Sequence, residues 1–116
     1  MAEQNCLFCK IVAGEIPAAK IYEDERAVVF RDINPQAPTH ALVIPRRHVA
    51  SLNEASEADE ALLGHLLLAA ARVARDGGHA DGGYRTVINT NADAGQTVFH
   101  LHVHVLGGRR LAWPPG

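Results

Sequence analysis

Phe99-His100-Leu101-His102-Val103-His104-Val105-Leu106 is the stretch that decides how this chain is read. Apolar and imidazole side chains alternate along it, and a period of two is the period of a β-strand. His100, His102 and His104 are therefore expected on one face. Phe99, Leu101, Val103 and Val105 are expected on the other, packed against a helix. Neighbouring histidines on such a face stand about 6.6–6.8 Å apart at Cα. Three imidazoles in a row do not make a core, because each ring has two nitrogens that need partners. Three readings follow: structural histidines, an all-histidine metal site, or a phosphate site with a histidine nucleophile. Alternating positions can supply two metal ligands, but three from one straight strand fit a tetrahedral ion poorly.

Working outward, residues 98–106 form the last expected strand, and the small-residue run 91–96 forms the loop before it. Residues 84–89 give another strand. Residues 56–76 are the longest expected helix. Ser56 and Asp59 open it in a capping-box pattern, Leu62, Leu63, Leu66, Leu67, Ala70, Val73 and Ala74 form its apolar stripe, and Gly77-Gly78 closes it. Residues 20–23 and 27–31 read as a strand hairpin turned by Glu23-Asp24-Glu25-Arg26, and residues 40–44 as an apolar strand stopped by Pro45. Asn34-Pro35-Gln36-Ala37-Pro38 is a proline-punctuated loop. Residues 6–13 suit a short helix ended by Gly14. Five strands with one long helix inserted after the third predict an α+β domain on an antiparallel sheet, spanning 1–116 without internal repeat.

The bulk numbers agree with one globular domain. Apolar residues make up 47% of the 116, charged residues 21%, and the net charge is −2. No basic footprint for a nucleic-acid polymer is present, so local groups must hold any phosphate. The longest apolar run, 66–71, is too short to cross a bilayer. Residues 1–5 lack the basic, then apolar pattern of a signal peptide, which makes a cytoplasmic protein the expectation. In a reducing compartment Cys6 and Cys9, spaced C-x-x-C, suit metal or redox chemistry; two buried thiols are the alternative. No G-x-x-x-x-G-K occurs, so P-loop chemistry is excluded. His65 and His79 are read as surface or structural residues.

The 100–106 pattern resembles the signature of the histidine-triad (HIT) superfamily. Phe30-Arg-Asp-Ile-Asn-Pro-Gln-Ala-Pro-Thr-His40, Leu42-Val-Ile-Pro45, Gly95-Gln-Thr-Val98 and the terminal Trp113-Pro-Pro-Gly116 resemble its Hint branch in order and spacing. The resemblance covers residues 6–116. It implies a five-stranded antiparallel sheet with two helices and a symmetric homodimer with a continuous sheet, over which the Trp113 tail covers a partner's surface. It also implies hydrolysis of purine nucleoside phosphoramidates to AMP or GMP and an amine, through a nucleotidyl-histidine on His102. His104 would contact the phosphoryl oxygens, His40 would orient or polarise His102, and Thr97 stands where the pattern commonly has Ser. No cofactor is implied for catalysis. Dinucleoside polyphosphate hydrolysis, as in the Fhit-like branch, and a nucleotide-binding scaffold role are the alternatives.

For the nucleotide, the resemblance points to an apolar cleft of Leu7, Phe8, Ile11, Ile16, Phe30, Ile33 and Leu42, with Asn89 on the ligand side. The Asp32 carboxylate can accept two hydrogen bonds from a ribose diol, and Gly95 lets backbone N–H groups approach phosphate oxygens. Bacterial histidine-triad proteins and galactose-1-phosphate uridylyltransferases with a C-x-x-C add two histidines to it. Here these would be His48 and His100, giving a structural zinc site with Cys6 and Cys9.

Overall fold

The computed structural model describes Glu3 and residues 5–116, so the leader expectation for 1–5 falls partly outside it. The first helix, α1 (Leu7–Val12), begins where the Cys6 sulfur accepts the Cys9 N–H. It ends at Ala13, ahead of Gly14, which takes the left-handed φ of 78°. Strands β1 (Lys20–Glu23) and β2 (Ala27–Arg31) form the hairpin. Its turn is held by Asp24 Oδ1, which accepts the Arg26 and Ala27 N–H groups at 2.8 and 2.9 Å. Then follow β3 (Thr39–Pro45), α2 (Glu60–Asp76), β4 (Tyr84–Val87) and β5 (Val103–Gly107). The sheet order is β1-β2-β3-β5-β4, with every pairing antiparallel.

The capping box of Ser56 and Asp59 is present, but it opens a single 3-10 turn, Glu57–Asp59, that leads into α2. The buried stripe of α2 is Leu66, Ala69, Ala70, Val73 and Ala74. Leu67, expected in the stripe, lies a full 100° step from Leu66 and is 47% exposed, while Ala69 takes the inner position. Small residues let α2 lie close to the sheet. There it packs on Ala27, Val29, Ala41, Val43, Leu101, Val103 and Val105. On the other sheet face α1 brings Cys6, Phe8, Cys9 and Ile11 against Val28, Phe30, Leu42 and Ile44. Strand β2 is thus buried on both faces, which explains its continuous apolar run. Among the described residues no helix is long and apolar enough to cross a membrane.

The histidine segment departs from the expected strand. Regular pairing of β5 with β3 stops at Val43↔Val103, so only His104 of the three histidines lies on a strand. The cause is Pro45, which ends β3 and has no N–H to donate. Its carbonyl accepts from the His100 ring instead, at 2.8 Å, and the Leu101 N–H pairs with Val49 O at 2.6 Å. Alternation survives the break, since Leu101, Val103 and Val105 share the core under α2. Phe99 does not join them; it is 49% exposed.

Candidate active site

Each imidazole has a distinct set of partners, and these assign its proton. His102 is 8% exposed, and its Nδ1–H donates to the His100 carbonyl at 2.7 Å. In the neutral ring this leaves the lone pair on Nε2. The ring stands edge-on to Phe8, with centroids 5.1 Å apart, and lies 5.1 Å from the His104 ring. His40, on β3, accepts the Gln36 N–H at Nδ1 (2.9 Å), so its own proton sits on Nε2. That Nε2–H donates to His104 Nδ1 at 2.9 Å, which leaves His104 protonated at Nε2. His40 was expected to serve His102; its hydrogen bond goes to His104, because Leu42 pairs with His104 across the β3–β5 ladder. Burial pushes His104 down to about 4, helped by the neighbouring His102 and His40 rings. Burial also lowers His40, opposed by the Asp32 carboxylate. Both rings are thus neutral near pH 7.

His102 and His104 line a cavity of about 580 Å3. Its apolar wall includes Leu7, Phe8, Ile11, Ile16, Phe30, Ile33 and Leu42, and its polar rim includes Asp32 and Thr97. The expected base cleft is thus brought together, though Ile33 stands fully exposed at its edge. Phe8 and Phe30 meet edge to face, 5.4 Å apart. Asp32 Oδ1 already accepts the Asn34 N–H at 2.8 Å, and Oδ2 lies 3.4 Å from His40 Nε2. Asn89 and Gly95 are not brought into the cavity wall. Gly95 closes a 3-10 turn at φ 89°.

Thr97 is positioned by a residue that sequence reading quoted but gave no role. The buried Gln96 amide donates to Ala50 O and Val98 O at 2.8 and 3.2 Å, and its oxygen accepts the Asn91 N–H at 2.8 Å. A buried amide with all these partners is a rigid tie. Its only signal in the sequence is a polar residue between Gly95 and Thr97. Arg31, Pro17, Ala18, Ala19 and Val98 also line the cavity and had not been singled out.

Behind the cavity, Cys6, Cys9, His48 and His100 bring their donor atoms within 4.8 Å of one another. Cys6 Sγ lies 3.3 Å from His100 Nδ1, Cys9 Sγ 3.5 Å from the same nitrogen, and Cys9 Sγ 3.3 Å from His48 Nδ1. A tetrahedral zinc with Zn–S of about 2.3 Å and Zn–N of about 2.0–2.1 Å has S···N edges of about 3.5 Å, so the donor set fits a metal. The His100 Nε2–H donates to Pro45 O, which leaves Nδ1 as the ligating atom, and such outer hydrogen bonds orient metal-bound imidazoles. His100 is fully buried, and burial pushes it down to about 4. Burial also raises the Cys6 thiol. Asp32, His40 and His104 form a second cluster, of three residues, with donor atoms within the same 4.8 Å. That cluster does not suit a metal, because Gln36 keeps the proton on His40 Nε2, the atom that would have to coordinate.

The remaining histidines serve the scaffold. His65 Nε2 lies 2.7 Å from Asp24 Oδ2, tying α2 to the hairpin turn, and His79 Nε2 lies 2.8 Å from Thr39 Oγ1. The Trp113 ring is 81% exposed, with the Arg85 guanidinium 6.0 Å from its centroid.

The same architecture recurs among solved structures. A HIT family hydrolase from Legionella pneumophila superposes with a TM-score of 0.95 at 51% identity, covering 97% of this chain and 100% of that one. A HIT family hydrolase from Clostridium thermocellum gives 0.93 at 47% identity, with 96% of each chain covered. An uncharacterized HIT-like protein of Synechocystis sp. is 55% identical over 116 residues, the whole of both chains. The sequence profile of the HIT domain matches residues 13–111, and the chain belongs to that family.

Proposed function

We propose that this protein is a hydrolase that cleaves the P–N bond of purine nucleoside 5′-phosphoramidates, releasing AMP or GMP and an amine. The observation that carries the reading is the His102 ring. Its Nδ1–H is anchored on the His100 carbonyl, which in the neutral ring leaves the lone pair on Nε2, and it borders a cavity with apolar walls and a polar rim. The base lies among Phe8, Ile11, Phe30, Ile33 and Leu42, and the ribose hydroxyls bond to Asp32. His102 Nε2 attacks the α-phosphorus as the P–N bond breaks, and the departing amine takes a proton from solvent, relayed through the Thr97 hydroxyl. The His104 Nε2–H bonds a phosphoryl oxygen, where preorganised donors stabilise the developing charge. Water then attacks the nucleotidyl-histidine and gives up a proton to solvent as the bond from phosphorus to Nε2 breaks, releasing the monophosphate and restoring neutral His102. Splitting one displacement in two is the benefit of covalent catalysis. The likeness to proteins called HIT family hydrolases supports the hydrolase kind.

Cys6, Cys9, His48 and His100 would hold a structural zinc that pins α1 to the sheet; when bound it supplies no chemistry to the reaction. A symmetric homodimer in the cytoplasm completes the reading. Light scattering coupled to size exclusion measures the dimer, and a monomer at micromolar concentration argues against it. The decisive experiment is His102→Asn on an adenosine phosphoramidate. Turnover is expected to vanish while AMP still binds by calorimetry, and a near-normal rate would refute the mechanism.

A further inference from the structure

In the mechanism above, His104 offers a proton at Nε2. It can do so only while His40 keeps its own proton on Nε2, and the group that enforces this is the Gln36 N–H. Were that proton to move to His40 Nδ1, His40 Nε2 would become an acceptor. His104 would then donate from Nδ1, and its Nε2 would turn a bare lone pair toward a phosphate. The whole relay would run backwards, and a stabilising donor would become a repulsive acceptor.

Gln36 sits in the irregular 34–38 segment, where Pro35 and Pro38 supply no N–H to anchor the chain. Inside the segment, the Gln36 amide donates to Asn34 O at 3.0 Å. From outside, it is held by Arg109, whose Nε–H donates to Gln36 O at 2.8 Å. The same guanidinium is braced on Arg110 O at 3.1 Å. Gly108 brings Arg109 there: it takes φ 96°, and a Cβ at that position would stand 2.9 Å from Pro38 Cβ. The chain leaving β5 is therefore pressed against one end of the segment and bonded to its middle.

We propose that Arg109 is a positioning residue for His104, acting through the Gln36 main chain and the His40 ring to keep the relay pointed at the phosphoryl group. Its effect on rate rests on the phosphoramidate reading; its effect on the tautomers does not. Long-range 1H–15N correlation spectra of histidine-labelled protein report which ring nitrogen is protonated. The wild type is expected to show the Nε2–H form for both His40 and His104. In Arg109→Ala, His40 is expected to acquire an Nδ1–H population. Its kcat on an adenosine phosphoramidate should fall about tenfold, equivalent to about 1.4 kcal/mol, with KM held within about twofold. Arg109→Lys keeps a donor for Gln36 O and should recover part of both signals. Wild-type tautomers in Arg109→Ala would overturn the inference, whatever the rate. A wild type that leaves every phosphoramidate uncleaved would sink the functional reading instead, and the tautomer comparison would still decide the role of Arg109.

Discussion

Truncating Leu101 to alanine tests the feature on which the site is built, a chain that buries one face and presents histidines on the other. Leu101 is 1% exposed and lies in the core under α2 with Val103 and Val105. The substitution removes three buried carbons. At about 0.8 kcal/mol each the transfer loss is about 2.4 kcal/mol. Neighbours on a sheet paired on both sides relax only partly, and the cavity left behind brings the cost to about 3–4 kcal/mol. For a domain of this length each kcal/mol lowers Tm by about 4 °C, so a fall of about 12–16 °C is expected. Thermal unfolding reads the Tm and urea titration the free-energy loss, both at fixed protein concentration and with Phe99→Ala alongside. Phe99 would share the buried face if the strand ran unbroken from 98, yet its side chain is half exposed; its truncation should cost less than about 1 kcal/mol. A Leu101 loss below about 1 kcal/mol, or a Phe99 loss equal to it, would refute the arrangement of the whole segment.

Acid should destabilise the fold in a defined window. His104 titrates near pH 4 in the folded chain against an ordinary value of 6.5, so the unfolded chain binds its proton first. The stabilisation is present above pH 6.5 and is lost as pH falls towards 4, at up to about 1.4 kcal/mol per pH unit. Urea midpoints at pH 7 and pH 5 check this, and a midpoint that rises on acidification contradicts it; His104→Asn should flatten the slope. Protein purified without chelator is expected to carry about one zinc per chain by elemental analysis, and Cys6→Ser should lose most of it. Less than about a tenth of an equivalent in the parent protein would sink that assignment.

Much of this was legible before any coordinates, for reasons that differ by element. The hairpin residues 20–23 and 27–31 match β1 and β2 because turn chemistry at Asp24 is local. The apolar side chains that wall the cavity were named through resemblance, as were the four donors behind it. What escaped was set by the other end of a contact. Nothing in the 98–106 run shows that Pro45, more than fifty positions earlier, withdraws the neighbouring strand and leaves only His104 in regular pairing. Leu67 and Ala69 are equally apolar to a periodicity count, and the close approach of helix to sheet chooses between them. The partner of His40 depends on ladder register, and the Gln36 contribution is a backbone N–H that no side chain encodes.

His100 is bonded at both ends, its ring closing the Cys6–Cys9–His48 cluster and its carbonyl steering His102. The helix that supplies the Cys9 sulfur, and whose N-cap is Cys6, also supplies Phe8, whose ring abuts both histidines and faces the cavity. On the phosphoramidate reading, docking of a base and aim of the attacking nitrogen would share one lever, the six-residue α1 with its cap. Discrimination between bases should consequently register in turnover as well as in affinity, since a poorly seated ring tilts the nucleophile.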